Sequence, residues 1–280
     1  GMNKKRLTIL SGSIVITAVI IHMMRKNVEK NIYRAEIMPP LPDRKIGYYE
    51  RYGKRIIDII CSIGAIVFFS PIYLGIAVLV KFKLGSPVLF VQERPGQTKD
   101  GKETIFKMYK FRTMTDERDE NGELLPDEKR LTSFGKWLRS TSLDELPEVI
   151  NILNGSMSII GPRPQLVVDL CSMSDKQRMR HTAKPGLSGL AQVNGRNRIC
   201  WEERLNWDLK YIEKVSLKGD LSILLKTVKT AFIEHDGITQ KDMATSMDYV
   251  DNLFQTRRIN ETEYREIKQR AKSILNHEHY

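Results

Sequence analysis

The run Lys54-Arg55-Ile-Ile-Asp58-Ile-Ile-Cys-Ser-Ile-Gly-Ala-Ile-Val-Phe-Phe-Ser70-Pro71-Ile-Tyr-Leu-Gly-Ile-Ala-Val-Leu-Val80-Lys81 decides what kind of protein this chain forms. Its apolar part, residues 56–80, is about 25 residues long, enough for a helix to cross the hydrocarbon core of a bilayer. Pro71 has no N–H to give the Val67 carbonyl and its ring crowds the preceding turn, so a kink is expected in the middle. Lys54 and Arg55 stand before the run and Lys81 and Lys83 after it; basic flanks mark the cytoplasmic face. A kink with the same charge at both ends predicts a reentrant helix that enters one leaflet and returns, with Ser70 satisfying a carbonyl freed at the break. A kinked true span is the alternative. Asp58 is expected to stay at the interface beside Arg55 or a neighbour, because a charge at mid-bilayer costs several kcal/mol.

Upstream, Leu7–Met24 is uncharged and mostly apolar, about 18 residues, and follows Lys4, Lys5 and Arg6. Arg25-Lys26 follows it where a secretory signal would have a small-residue cleavage site, so it reads as a retained anchor. Ser11, Gly12, Ser13 and Thr17 leave a soluble apolar helix as the alternative. Residues 25–52 are polar and broken by Pro39, Pro40 and Pro42, and read as a linker.

Downstream lies the second informative stretch, Arg139-Ser-Thr-Ser-Leu-Asp144-Glu145-Leu-Pro147, then an apolar run, then Gly161-Pro162-Arg163-Pro164. Two adjacent carboxylates are bracketed by two arginines. Ser142 with Glu145 fits a capping box, whereas a helix start at Asp144 would place Pro147 in the first turn, where proline is tolerated. Either start puts both carboxylates at a helix N-terminus, which favours their ionised forms, while their mutual repulsion raises one of the two pKa values. Two prolines fix the backbone around Arg163, as suits a guanidinium that grips a phosphate or a carboxylate. Simple capping by the acids, and a loop-closing salt bridge by Arg163, are the structural alternatives.

Val88–Gln92 reads as a short extended run and residues 92–96 as a turn. Residues 105–114 alternate apolar and basic and predict a half-buried strand, with Lys110 and Arg112 on the same face and Lys107 on the other. Residues 132–138 read as an amphipathic helix directing Phe134, Trp137 and Leu138 to the core or the membrane surface. The glycine- and amide-rich segment 184–197 offers backbone N–H groups and Arg196 to a phosphate or a base edge, or forms an ordinary Asn-Gly turn. Residues 201–212 and 221–233 read as helices, the second amphipathic with Lys226 and Lys229 on its polar side, and residues 251–280 as a charged peripheral helix.

The 280 residues carry a net charge of +11, a balance that suits nucleic acid, an anionic membrane or a phosphorylated substrate. The apolar runs favour the membrane over nucleic acid. Cys61, Cys171 and Cys200 have no metal-ligand spacing and are odd in number, which fits reduced thiols in the cytosol.

From about Lys54 to about Ile233 the chain resembles the bacterial sugar transferase family, specifically the small monotopic polyprenol-phosphate phosphoglycosyl transferases of bacterial glycan assembly. The resemblance is carried by Lys54-Arg55-Ile-Ile-Asp58, Ser70-Pro71, Tyr109-Lys-Phe-Arg-Thr-Met114, Ser142-Leu-Asp-Glu-Leu-Pro147, Gly161-Pro-Arg-Pro164 and Ala191-Gln-Val-Asn-Gly-Arg-Asn197, in order and at consistent spacing. Two departures are Gln165, where an apolar residue is frequent, and Leu190, where an aromatic is frequent. Membership implies an α+β, mainly helical monotopic membrane protein. Its parts would be an anchor and linker (1–53), a reentrant Ser-Pro-kinked helix (54–83), a cytoplasmic catalytic domain (84–245) with amphipathic interfacial helices, and a charged tail (246–280).

The implied reaction moves a sugar 1-phosphate from a UDP-sugar to undecaprenyl phosphate, with magnesium, at the cytoplasmic face of the inner membrane. The closest resemblance suggests amino or acetamido sugars. Asp144 is implied as nucleophile and magnesium ligand, and Glu145 as its support. Arg139 and Arg163 are assigned to the phosphates with Lys110 and Arg112 behind them, Asn194 and Arg196 to the nucleotide, and Asp208 to the orientation of one of these arginines. An anionic membrane and other glycan-assembly enzymes are the expected partners.

Overall fold

The computed structural model describes residues 32–195, 199–232 and 247–276. The Leu7–Met24 anchor and Arg196 lie outside them. The chain opens with a short strand β1 (Ile32–Arg34), then a π-helical turn at Tyr49–Gly53 that leads into the long helix α1 (Lys54–Leu84, 31 residues). Next come strands β2 (Leu89–Lys99) and β3 (Lys102–Phe111), helix α2 (Ser133–Ser140), helix α3 (Glu148–Asn154) and strand β4 (Ser158–Ile160). Helix α4 (Val167–Ser172), strand β5 (Gly186–Ser188), helices α5 (Trp201–Glu213) and α6 (Leu217–Phe232), and helices α7 (Tyr249–Gln255) and α8 (Glu261–Leu275) complete the described chain. The architecture is mixed and mainly helical.

Helix α1 continues through Ser70-Pro71. The Ser70 hydroxyl donates to the Val67 carbonyl at 3.0 Å, the oxygen that Pro71 leaves without its helical donor. With Tyr49–Gly53 it is, among the described residues, the helix long and apolar enough to cross a membrane. Its middle turns outward: Phe68 is 79% exposed, with Ile60, Val67 and Leu74 also open, and near the far end Phe82 stays 84% exposed. Its ends pack on the rest of the chain. Near the start, Arg55 donates to the Ile152 and Leu153 carbonyls at 2.6 Å each, gripping the last turn of α3, where the Gly155 N–H also reaches the Ile152 carbonyl at 3.1 Å. Asp58 Oδ1 accepts from Ser158 Oγ and the Ile159 N–H, both at 3.0 Å, so it takes its partners from the start of β4 rather than from Arg55. Near the other end, Ile76, Val80 and Leu84 form one apolar cluster with Phe111 and Leu138.

Three strands in the order β1-β3-β2 form an antiparallel sheet. The turn expected at residues 92–96 is strand: β2 runs through Arg94-Pro95-Gly96 with a register irregularity between Pro95 and Thr98. Proline is tolerated there because β2 is an edge strand, and glycine because a Cβ at position 96 would stand 2.7 Å from Thr104 Oγ1. Part of the expected linker is folded as well: β1 pairs with β3, and Ala35, Met38 and Leu41 are buried. β4 and β5 form a separate parallel pair.

In the amphipathic helix α2, Thr132 caps the start by accepting the Gly135 N–H at 3.0 Å. Leu138 is buried while Trp137 stays half exposed and stacks on Phe134. α6 buries Asp220 and Ile223 and leaves Leu217, Leu221, Leu225 and Val228 open. Beneath it, Asp220 accepts from Lys54 Nζ at 2.5 Å and from the Tyr49 and Tyr211 hydroxyls at 2.9 Å each, which joins α1, α5 and α6.

Candidate active site

Glu145 is the hub of the carboxylate site. Its Oε1 accepts from Lys110 Nζ at 2.7 Å and from Arg163 Nη2 at 2.6 Å. Lys110 also stands 3.2 Å from Glu148 Oε1. Burial by itself would raise the Glu145 carboxyl, but Arg163 and Lys110 together outweigh it and hold the group well below the usual carboxylate range. Glu148 shifts the other way, pushed up first by burial and then by the charge on Glu145. One lysine thus serves two acids, and the negative charge settles on Glu145.

Asp144 is 8% exposed. Burial first, then the charge on Glu145, push its carboxyl up to about 6, against the pull of Lys110, Arg139 and Arg163. This separates the adjacent acids by role: Glu145 is tied up in ion pairs, while Asp144 sits close to three cations and titrates just below neutrality. Arg139 donates from Nε to Thr113 Oγ1 at 3.1 Å; burial lowers its pKa while Asp144 offsets part of that effect.

The backbone under this pair differs from both helix starts expected. Leu143–Glu145 is a single 3-10 turn, Ser142 before it is left-handed with φ 55° and makes no side-chain cap, and α3 begins only at Glu148 with Pro147 as its N-cap. Pro147 cannot donate to a carbonyl before it, so the α-helix starts beyond it and the two acids stand one turn ahead. Their ionisation is set by Lys110, Arg139, Arg163 and burial rather than by a helix end.

Arg163 is anchored through its own backbone. Its carbonyl accepts from Arg180 Nη2 at 2.5 Å, and Arg180 Nε donates to Asp208 Oδ2 at 2.8 Å, with Arg180 and Asp208 both fully buried. Asp208 therefore positions Arg163 through Arg180. Arg180 was not singled out from the sequence, since nothing local marks it. Arg94, also unmarked, donates weakly from Nη1 to the Pro164 carbonyl at 3.5 Å and from Nη2 to Gln92 Oε1 at 2.6 Å.

Two expected ligands are engaged elsewhere. Arg112 lies past the end of β3, where the alternation that carries Lys110 inward no longer applies. Its guanidinium donates to the Met114 and Ser86 carbonyls at 2.9 and 2.8 Å and pairs with Asp116 at 2.6 Å. Asn194 donates to the Leu190 carbonyl at 2.8 Å and closes the helical turn Leu190–Val193. The glycines of this region serve close packing rather than an anion cradle. The Gly161 N–H donates to the Ser188 carbonyl and the Gly186 N–H to the Pro162 carbonyl, and a Cβ at position 186 would lie 2.1 Å from the Gly161 nitrogen.

Residues 49–234 match the family described as bacterial sugar transferase, and the chain belongs to that family. The uncharacterized sugar transferase EpsL of Bacillus subtilis is 46% identical over 193 residues, covering 69% of this chain and 93% of the relative. The UDP-glucose:undecaprenyl-phosphate glucose-1-phosphate transferase of Klebsiella pneumoniae is 40% identical, over 69% of this chain and 43% of its own length. The undecaprenyl-phosphate galactose phosphotransferase of Salmonella typhimurium is 35% identical, over 67% and 42%. The chain therefore spans under half the length of these two enzymes. Asp144, Glu145, Lys110 and Arg163 all fall inside the matched region.

Proposed function

We propose that this protein is a phosphoglycosyl transferase that moves a sugar 1-phosphate from a UDP-sugar to undecaprenyl phosphate, releasing UMP, as the first membrane step of glycan assembly. The observation that carries the reading is the buried, cation-flanked Asp144 beside an ion-paired Glu145. An Asp144 oxygen attacks the β-phosphorus of the UDP-sugar, the bond from that phosphorus to the bridging oxygen breaks, and UMP leaves with the electron pair. An oxygen of undecaprenyl phosphate then attacks the same phosphorus, and the Asp144–phosphorus bond breaks to restore the carboxylate. Arg163 and Arg139 face the phosphate charge, which fixed cations stabilise best where water is scarce. Glu145, itself paired with Lys110, holds Arg163 in place.

No group of three His, Cys, Asp or Glu side chains placed to hold a metal occurs among the described residues. A magnesium ion at this site would have Asp144 as its protein ligand and take the rest from diphosphate oxygens and water. When bound there it would neutralise the diphosphate before attack.

We further propose that the protein lies at the inner face of the cytoplasmic membrane, as the basic flanks of α1 suggest, with α1 reentrant. The packing of α1 supports the reentrant course. Both ends of α1 pack on one body, through Arg55 and Asp58 at one end and Ile76, Val80 and Leu84 at the other.

Purified protein with undecaprenyl phosphate and a panel of UDP-sugars, amino and acetamido sugars beside the glucose and galactose named for relatives, tests the reaction. No UMP from any member would refute it. Exchange of labelled UMP into UDP-sugar without lipid acceptor separates the covalent route from direct transfer, in which such exchange is absent.

Two further outcomes follow from the geometry. Attack needs ionised Asp144, and its carboxyl is raised to about 6; kcat/KM should climb with pH through that value and fall about tenfold per unit below it. A flat profile from pH 5 to 7 would remove Asp144 from the role. Arg163→Lys keeps the charge but loses the planar fork that spans Glu145 and a phosphate, and UMP release should drop about 10- to 100-fold. Activity within twofold of the parent would assign the phosphate to another cation.

A further inference from the structure

The tail beyond the family-matched region is folded onto the exit of the Arg163 loop. Asp169, 2% exposed, receives two backbone donors on its two oxygens: Leu166 N–H to Oδ2 at 2.9 Å and Tyr249 N–H to Oδ1 at 2.8 Å. Leu166 ends the segment that starts with Gly161-Pro162-Arg163-Pro164, and Tyr249 is the first residue of α7. Tyr249 is itself pinned, its ring 5.2 Å from that of Trp201 and its hydroxyl accepting from Gln177 Nε2 at 3.2 Å. Trp201 Nε1 donates to the Met247 carbonyl at 3.3 Å. Trp201 opens α5, the helix whose Asp208 holds Arg180 against the Arg163 carbonyl. Beneath the loop exit, Ala271 and Ile274 of α8 bury Val167 and Leu170 of α4.

We infer that α7 and α8 form a strap that fixes the Arg163 loop, with Asp169 as the positioning residue through which it acts. A single carboxylate joins the end of the loop to the start of the tail, and Trp201 makes a second connection through α5. A four-residue loop with two prolines moves as a unit about its ends, so a change in the Leu166 tether is carried to the Arg163 guanidinium. The inference rests on Arg163 serving the transferred phosphate.

Tyr249→Ala in the full chain, in detergent micelles, tests it by hydrogen exchange and by UMP release. Exchange in residues 161–168 should rise about tenfold while α6, residues 217–230, keeps the parent rate. In parallel, kcat should fall about tenfold with KM for the UDP-sugar within twofold, counted per folded molecule. Parent-like exchange in 161–168 while 249–255 exchanges freely would overturn the strap, as would an unchanged kcat in a variant whose loop has loosened. If Tyr249→Ala does not fold, Asp169→Asn, the same shape with one carboxylate oxygen replaced by an amide donor, carries the same expectations. If the parent releases no UMP from any UDP-sugar, the reaction assignment fails separately and exchange in 161–168 alone decides the strap.

Discussion

Asp144→Asn should abolish UMP release and the acceptor-free exchange of labelled UMP, by at least about three orders of magnitude, and leave the protein no less stable at pH 7. The loss follows from removing the attacking oxygen while every cation stays in place, since residual rate after loss of a nucleophile comes only from binding and charge stabilisation. The stability half follows from linkage. The folded Asp144 carboxyl is raised to about 6 by burial and by Glu145, above its unfolded value, so folding favours its neutral form. The resulting cost is absent below about pH 4, grows through about pH 6 and is constant above. A neutral amide of the same shape removes it, a gain on the order of 2 kcal/mol at pH 7 and none at pH 3. Melting curves of parent and variant at the two pH values check this. A variant that keeps a tenth of the parent exchange rate would rule out the covalent role of Asp144.

The largest stability effect belongs to Asp220→Ala. Its carboxylate is the shared acceptor for Lys54, Tyr49 and Tyr211, and Lys54 and Asp220 are both buried. Truncation leaves the buried Lys54 ammonium without its ion-pair partner and the Tyr49 phenol without its acceptor, while Tyr211 keeps the Ile160 carbonyl at 3.4 Å, a loss of about 3–5 kcal/mol, or about 10 °C in melting temperature for a chain of this size. The double variant Lys54→Met with Asp220→Leu removes both charges and should regain most of that, because a buried pair contributes little beyond what apolar packing supplies. Melting of Asp220→Ala within about 2 °C of the parent would show that water reaches Lys54.

Local chemistry was legible in the sequence wherever one element carried it. Asp144, Glu145, Arg163 and Lys110, singled out from adjacency, proline and strand parity, lie together in the fold, because those signals act over a few residues. Ser70 satisfying the Val67 carbonyl follows from the same short range. Arg112 was misplaced because parity was carried past Phe111, where β3 ends. Pairs that cross the chain are matched only by tertiary packing: Asp208 was singled out but with a different arginine than Arg180, and Lys54 with Asp220 and Asp169 with Tyr249 left no trace. β1 was missed because Ile32-Tyr-Arg34 is too short to show a period, and only its register with Phe106, Ile105 and Thr104 makes it a strand.

The Arg55 grip on α3 has a mechanical meaning. Its guanidinium closes the end of the seven-residue helix whose first residue is Glu148, the acid that shares Lys110 with Glu145. No slack linker intervenes between the apolar helix α1 and that acid, so the body that carries the carboxylates is bolted to α1 rather than leashed to it. On the proposed reentrant placement, the depth at which α1 rides in the leaflet would set how far from the headgroups the carboxylates stand, and an acceptor phosphate would meet them at one fixed elevation.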